Sequence, residues 1–130
     1  MNYEEYAVAV LIESPEGIPL IRDPKKLAPL FWKLPGGRSE IGESAQEVAI
    51  REIKEEIGLT LKSKDLKILK EEDRGSHNLV IFKAAIDSLD GMKFQGNEGE
   101  EIKVFSLEQI KTMKDFFPNH QRLLAEINYF

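Results

Sequence analysis

Glu52, Glu55 and Glu56 stand three and four residues apart within a run of good helix formers spanning residues 45 to 57. At about 100° per residue they fall within an arc of roughly 100° on one side of a helix. Ala45, Val48 and Ala49 share that side, so the carboxylates continue a face that begins as packing surface. Like charges at i,i+4 destabilise an exposed helix by about 0.2–0.5 kcal/mol, and by more where water is scarce. A helix shaped only for solubility would interleave lysines, whereas Lys54 lies on the far side. The same spacing pairs Glu47 with Arg51 and Arg51 with Glu55, leaving Glu52 and Glu56 without a basic neighbour on the helix. A hard divalent cation removes such repulsion. Mg²⁺ takes oxygen ligands, keeps several waters and joins carboxylates to substrate phosphates. The chemistry such a face suits is attack of water on phosphorus, which needs positioning and charge neutralisation more than covalent help.

The segments around this face are built to hold it. Ser44 and Glu47 form a capping box, and Gly58 is a C-terminal stop. Pro35-Gly36-Gly37 precedes it, and its glycines allow a tight, left-handed backbone that can turn a carbonyl toward a metal. Arg51 carries five donors suited to orienting a neighbouring carboxylate, and Glu43 complements the dipole at the helix entrance.

Gly37, Glu43, Arg51, Glu52, Ile53, Glu55, Glu56, Gly58 and Leu59 fall at the spacing G-x5-E-x7-R-E-U-x-E-E-x-G-U, where U is a bulky aliphatic. This stretch resembles the complete box of the Nudix hydrolases, MutT-like branch. The resemblance implies a single-domain α/β fold over residues 1–130, an α/β/α sandwich with a mixed sheet. It implies hydrolysis of a nucleoside diphosphate linked to another group, with Mg²⁺ as cofactor and Mn²⁺ as a substitute. Gly37 (through its carbonyl), Glu52, Glu55 and Glu56 are then the metal ligands, and Glu43 lies near them. MutT-like relatives carry a Gly-x-Glu-Gly loop that Gly96, Glu98 and Gly99 match, so Glu98 corresponds to a downstream ligand or catalytic acid, with Glu100 and Glu101 as rivals. Glu52, Glu55 and Glu98 each qualify as general base. Arg22 and Arg38 stand where relatives meet phosphates, and Phe116, Phe117, Asn119 and His120 where they read the base. Solvated arginines and core packing or a helix cap explain these residues equally well. Trp32 reads as core ahead of a base-stacking ring, and His77 as a turn residue.

Around the box, residues 5–13 and Ile18–Arg22 read as a hairpin across Ser14-Pro15-Glu16-Gly17, with Pro19 marking an edge strand. Residues 23–30 form a loop broken by Pro24 and Pro29, and Phe31–Leu34 a short strand feeding the glycine turn. Residues 66–73 and 79–86 read as strands flanking a turn, and 101–105 as a last strand. Ser106 caps a short helix, and Pro118 opens a final one with Leu123, Leu124 and Ile127 as its buried stripe.

At 130 residues the chain suits one domain with a real core. It contains no cysteine, which excludes disulfides, cysteine-based zinc sites and cysteine nucleophiles and fits a reducing compartment, the cytoplasm by default. The opening residues lack the basic flank of a signal peptide, and no apolar run approaches the roughly 20 residues of a membrane span. A net charge of −5 argues against a grip on polymeric nucleic acid and implies that bound cations mediate contact with a phosphate substrate. Dimerisation is common among Nudix relatives, and no apolar patch in this sequence decides it.

Substrate markers of the family fall silent here. The offsets from Leu59 that carry a proline in ADP-ribose enzymes and a tyrosine in dinucleoside polyphosphate enzymes hold Gly75 and His77. A nucleoside triphosphate, damaged or not, giving a monophosphate and pyrophosphate is the favoured substrate, ahead of ADP-ribose and nucleotide sugars. A nucleotide sensor without activity would be expected to lose box acids, and this chain keeps them. The isomerases sharing the fold need a cysteine that is absent.

Overall fold

The computed structural model describes residues 5–130. Residues 1–4, which carry most of the segment read above for its lack of a basic flank, lie outside the described residues.

Among the described residues six strands and three α-helices follow in the order β1 (Tyr6–Glu13), β2 (Ile18–Arg22), β3 (Gly36–Arg38), α1 (Ala45–Ile57), β4 (Leu66–Asp73), β5 (Asn78–Ala85), β6 (Glu101–Phe105), α2 (Leu107–Thr112) and α3 (Pro118–Glu126). β3, β1, β5 and β4 form one sheet in that order. The β1–β5 pair is parallel and the two outer pairs are antiparallel, which makes the sheet mixed. β2 and β6 form a separate antiparallel pair.

The period of two along β1 and β5 divides the core. Val8, Val10, Ile12, Val80, Phe82 and Ala84 pack with Val48, Ala49, Ile53 and Ile57 of α1. Ala9, Leu11, Leu79 and Ile81 pack with Ile110 of α2 and Leu123 and Leu124 of α3 on the opposite face. Strands covered on both faces read as continuous apolar runs, which β1 and β5 are. The result is the α/β/α sandwich expected from the box. Among the described residues no helix is long and apolar enough to cross a membrane.

Two expectations about the strands need correction. The turn Ser14–Gly17 closes through reciprocal backbone bonds, but the strands it joins do not remain paired. β1 is apolar on both faces and takes the centre of the large sheet, whereas β2 pairs with β6, with Pro19 opposite Val104. Residues 31–34 are not a strand. Trp32 and Lys33 make single bridges to Phe116 and Ile21, and the strand that follows is made by the glycines themselves. Gly36 and Gly37 do not adopt left-handed φ values. They are required instead because they approach other groups closely. A Cβ on Gly36 would collide with the Val8 carbonyl, and one on Gly37 would lie 2.6 Å from Glu52 Oε2.

Candidate active site

Helix α1 starts and stops where its caps dictate. Ser44 Oγ accepts from the Glu47 N–H at 3.2 Å, and the Glu47 carboxylate accepts from the Ser44 N–H at 3.0 Å. At the other end Gly58 adopts φ 80°, and its N–H closes on the Ile53 and Lys54 carbonyls. Glu47 is therefore occupied by the cap and does not pair with Arg51.

Arg51 turns instead to the loop before the helix and to its own neighbours. Its Nε and Nη2 donate to the two oxygens of Glu43, both at 2.8 Å, and Nη2 also donates to the Arg38 carbonyl at 3.0 Å. Nη1 donates to Glu52 at 2.7 Å and to Glu55 at 3.3 Å. Glu52 thus has a basic neighbour after all, the adjacent residue, because the long side chain curls around the helix where i,i+4 geometry alone would not place it. The Arg51 hydrogen bonds hold the Glu43 carboxyl down at about 2. The guanidinium itself is held above its ordinary value, chiefly by Glu43.

The remaining acids feel burial more than pairing. Burial raises the Glu52 carboxyl, and Arg51 offsets only part of that. Glu56 is pushed up to about 7, first by burial and further by the negative charge of Glu52. The Gly36 N–H, donating to Glu56 Oε1 at 2.7 Å, works against that rise. β3 is therefore clasped by the helix, with Glu56 on the Gly36 amide and the Glu52 carboxylate against Gly37.

Two cavities meet at this clasp. One, of about 300 Å³, is lined by Glu55, Glu56, Asn97, Glu98 and Glu100 together with Ile21, Asp23, Lys26 and Lys33. The loop from β5 to β6 thus brings Glu98 and Glu100 to the same space as the helix acids, while Glu101 is bonded to Arg22. Lys93 ties that loop down, donating to the Glu55 carbonyl at 2.7 Å and to Asn97 at 3.0 Å. The second cavity, about 480 Å³, runs along Gly36, Gly37 and Arg38 to Phe31, Phe117, Asn119 and His120. Its charged lining is Lys26, Lys33, Arg38 and Arg74 against Asp23 alone.

The expected substrate residues separate on this map. Arg38 and His120 line the larger cleft. Arg22 lines neither cavity: it is held bidentate by Glu101 at 3.0 and 3.1 Å and stacks 4.4 Å from the Trp32 ring centre. Trp32 itself is buried, as a core residue. His120 is buried and its Nδ1 accepts from the Leu34 N–H at 3.3 Å. Burial, with Lys33 and Arg74 adding to it, drops its ring to about 3. His77, read as a turn residue, also lines the cleft, as do Lys26, Lys33 and Arg74, which sequence reasoning passed over. Single basic residues in a proline-broken loop and a hairpin turn carry no spacing signal, so only the fold reveals their convergence.

Among the described residues no three acidic or histidine side chains converge closely enough to form a ready-made cation cage. Arg51 draws Glu52 and Glu55 toward itself, and Glu56 turns to Gly36. The donor set still fits a hard divalent cation. Its groups are carboxylate oxygens and the Gly37 carbonyl, and two of the carboxylates, Glu52 and Glu56, are half-buried with too little positive charge to compensate.

The family model for the NUDIX domain matches residues 4–127. An ADP-ribose pyrophosphatase of Methanocaldococcus jannaschii is 36% identical over 128 residues, covering 95% of this chain and 74% of its own length. A Bacillus subtilis protein provisionally described as an 8-oxo-dGTP diphosphatase is 45% identical over 56 residues, 43% of this chain and 36% of its own. A MutT structure, from work on the Aliivibrio salmonicida and Vibrio cholerae proteins, superposes with a TM-score of 0.76 at 24% identity. It covers 98% of this chain and 99% of that one, a likeness of fold.

Proposed function

This chain belongs to the Nudix hydrolase family, and from that premise we propose that it hydrolyses a diphosphate bond of a nucleoside triphosphate, releasing a monophosphate and pyrophosphate. The observation that carries the substrate class is the charge of the larger cleft, where four cationic side chains face one carboxylate. A triphosphate brings more negative charge to that lining than the diphosphate of ADP-ribose. A second reading, ADP-ribose, is favoured by the Methanocaldococcus jannaschii relative, which is named for that activity.

Nudix hydrolases use divalent metal cations, and in this proposal Mg²⁺ is held by Glu52, Glu55, Glu56 and the Gly37 carbonyl. When bound, such an ion neutralises phosphate charge and lowers the pKa of a coordinated water. The protein's own residues do the rest. Arg51 fixes the directions of Glu43, Glu52 and Glu55 through four hydrogen bonds, and a fifth ties it to the Arg38 carbonyl. Lys26, Lys33 and Arg38 lie along the path from the acids to the cleft and neutralise the phosphate chain. Glu98 shares the smaller cavity with Glu55 and Glu56, and proton removal from the attacking water is assigned to one of Glu52, Glu55 and Glu98.

Product analysis by ion-exchange chromatography tests the reading. The purified protein is incubated with Mg²⁺ and nucleoside triphosphates, oxidised triphosphates, ADP-ribose, nucleotide sugars and dinucleoside polyphosphates. Monophosphate and pyrophosphate from a triphosphate are expected. AMP and ribose 5-phosphate from ADP-ribose alone would transfer the proposal to the second reading. Tight binding with every substrate left intact would overturn both.

A further inference from the structure

The last turn of α1 is capped from a distant loop. A helix leaves its final carbonyls without intrahelical donors. Lys93 serves two of them: its N–H donates to the Ile57 carbonyl at 2.9 Å and its Nζ to the Glu55 carbonyl at 2.7 Å. An ammonium suits that end of a helix, where the dipole is negative. The same Nζ donates to Asn97 Oδ1 at 3.0 Å, and because an ammonium has no acceptor, the amide oxygen is the group that faces it. Gly58 leaves room for this strap. It adopts a left-handed φ of 80°, and a Cβ there would also lie 3.1 Å from Lys93 Cγ and 3.2 Å from the Gly91 carbonyl oxygen.

Asn97 belongs to a turn closed on itself. Gly96 N–H donates to the Glu100 carbonyl at 2.9 Å, Gly99 N–H to the Gly96 carbonyl at 3.1 Å and Glu98 N–H to Glu100 Oε2 at 3.3 Å. Its stem is an isolated bridge between Gln95 and Glu101. Among the described residues no hydrogen bond joins residues 96–100 directly to α1, so the Lys93 ammonium is the link between them. The turn needs one. It carries Glu98 and Glu100 into the cavity that Glu55 and Glu56 line, where Asp23 adds negative charge and only Lys26 and Lys33 oppose it. Like charges in so small a space repel, which pushes the turn away from the helix.

We propose that Lys93 is a positioning residue for the hydrolysis: with one ammonium it caps the acid helix and grips Asn97, and so holds the turn bearing Glu98 and Glu100 against Glu55 and Glu56. Lys93 lines neither cavity and acts through Asn97, which lines the smaller one. The inference rests on the hydrolase reading above and adds to it a residue that stands outside the box.

Two variants separate the tether from the cap. Lys93→Met keeps the aliphatic stem beside Gly58 and loses both side-chain bonds, whereas Asn97→Ala leaves the cap and loses the tether alone. Backbone NMR relaxation on the metal-free protein without substrate reads the turn directly. Order parameters of residues 96–100 are expected near roughly 0.85 in the wild type and below about 0.6 in both variants, with the strands unchanged. Triphosphate kcat should fall about 10–100-fold in both while KM stays within about twofold, and Lys93→Arg, which keeps the charge and the donors, should recover most of it. A cap without a positioning role would lower the melting temperature of Lys93→Met and leave Asn97→Ala like the wild type in order and in kcat, which would overturn the proposal. So would a turn as mobile in the wild type as in the variants, or a loosened turn with kcat unchanged. Asn97→Ala carries the test alone should Lys93→Met not fold. Order parameters that change as expected in a protein that cleaves no triphosphate would overturn the hydrolase reading and leave the tether standing.

Discussion

Arg51 Nη1 lies 2.7 Å from Glu52 Oε1, while the same guanidinium grips both oxygens of Glu43 at 2.8 Å. One cation thus holds an acid at the helix entrance and an acid in its middle at fixed separation. Arg51→Lys keeps the charge but cannot form the planar fork. Turnover should fall by about 10–100-fold, the usual size for loss of a group that orients metal ligands, and more Mg²⁺ should be needed for half-activation. Steady-state kinetics over a Mg²⁺ titration provide the check, and unchanged values of both would remove Arg51 from this role.

The two glycines of β3 should separate folding from function. Gly36→Ala drives a methyl into the Val8 carbonyl of the central strand, so it should cost about 1–3 kcal/mol or more of stability. Gly37→Ala meets the far end of a Glu52 side chain, which can swing away. It should melt within a few degrees of wild type and lose most of its turnover. Thermal melts and activity on the same preparations decide the matter, and the reverse pattern would contradict the clasp.

Glu56→Gln keeps an acceptor for the Gly36 amide and removes the charge of a proposed metal ligand. Turnover should drop by orders of magnitude with the fold intact. Its effect on stability depends on pH. In the metal-free folded protein Glu56 keeps its proton up to about 7, whereas an unfolded glutamate releases it near 4.5. The stability this confers is complete below 4.5 and is lost as pH rises through 7, a difference of about 3 kcal/mol. His120 acts in the opposite direction, losing stability as pH falls from 6.5 toward 3. Comparing wild type with Glu56→Gln cancels the histidine. The variant should gain on wild type between pH 4.5 and 8 in denaturant titrations with a chelator present, and a constant difference would show that Glu56 is not buried as described.

Chelation of divalent cations should abolish turnover, and added Mg²⁺ should restore it. Full activity in excess chelator would refute the function given to the helix acids.

Arg22 offers a negative control. It is occupied by Glu101, Asp115 and the Trp32 face, so Arg22→Met should lower the melting temperature while KM for the triphosphate stays within about twofold. A tenfold rise in KM would return it to the phosphate path.

Much of this was readable from residues alone, and what escaped has a physical cause. The helix limits came from local chemistry, Ser44 with Glu47 and then Gly58, which acts within one turn and needs no tertiary context. The last strand and the start of α3 at Pro118 were likewise local. The Ser14–Gly17 signal fixes the turn but not the hairpin, because pairing beyond it is decided by which strand can be covered on both faces. Helix spacing pairs Arg51 with Glu47, but the cap has a prior claim on Glu47. The convergence of the cleft cations Lys26, Lys33, Arg38 and Arg74 joins segments tens of residues apart, and no period in the sequence records it.

Among the described residues that line them, the two cavities share only Asp23, Lys26 and Lys33. Substitutions at Phe31, Arg74, His77, Phe117 or Asn119 therefore touch the chamber without reaching the acid helix. A lineage can retune what it accepts by drift in a loop, a hairpin turn and one helix end, while the bond-breaking apparatus stays under separate selection. In such an architecture, small changes of ligand preference between close relatives are inexpensive, and a shared box is a poor guide to shared diet.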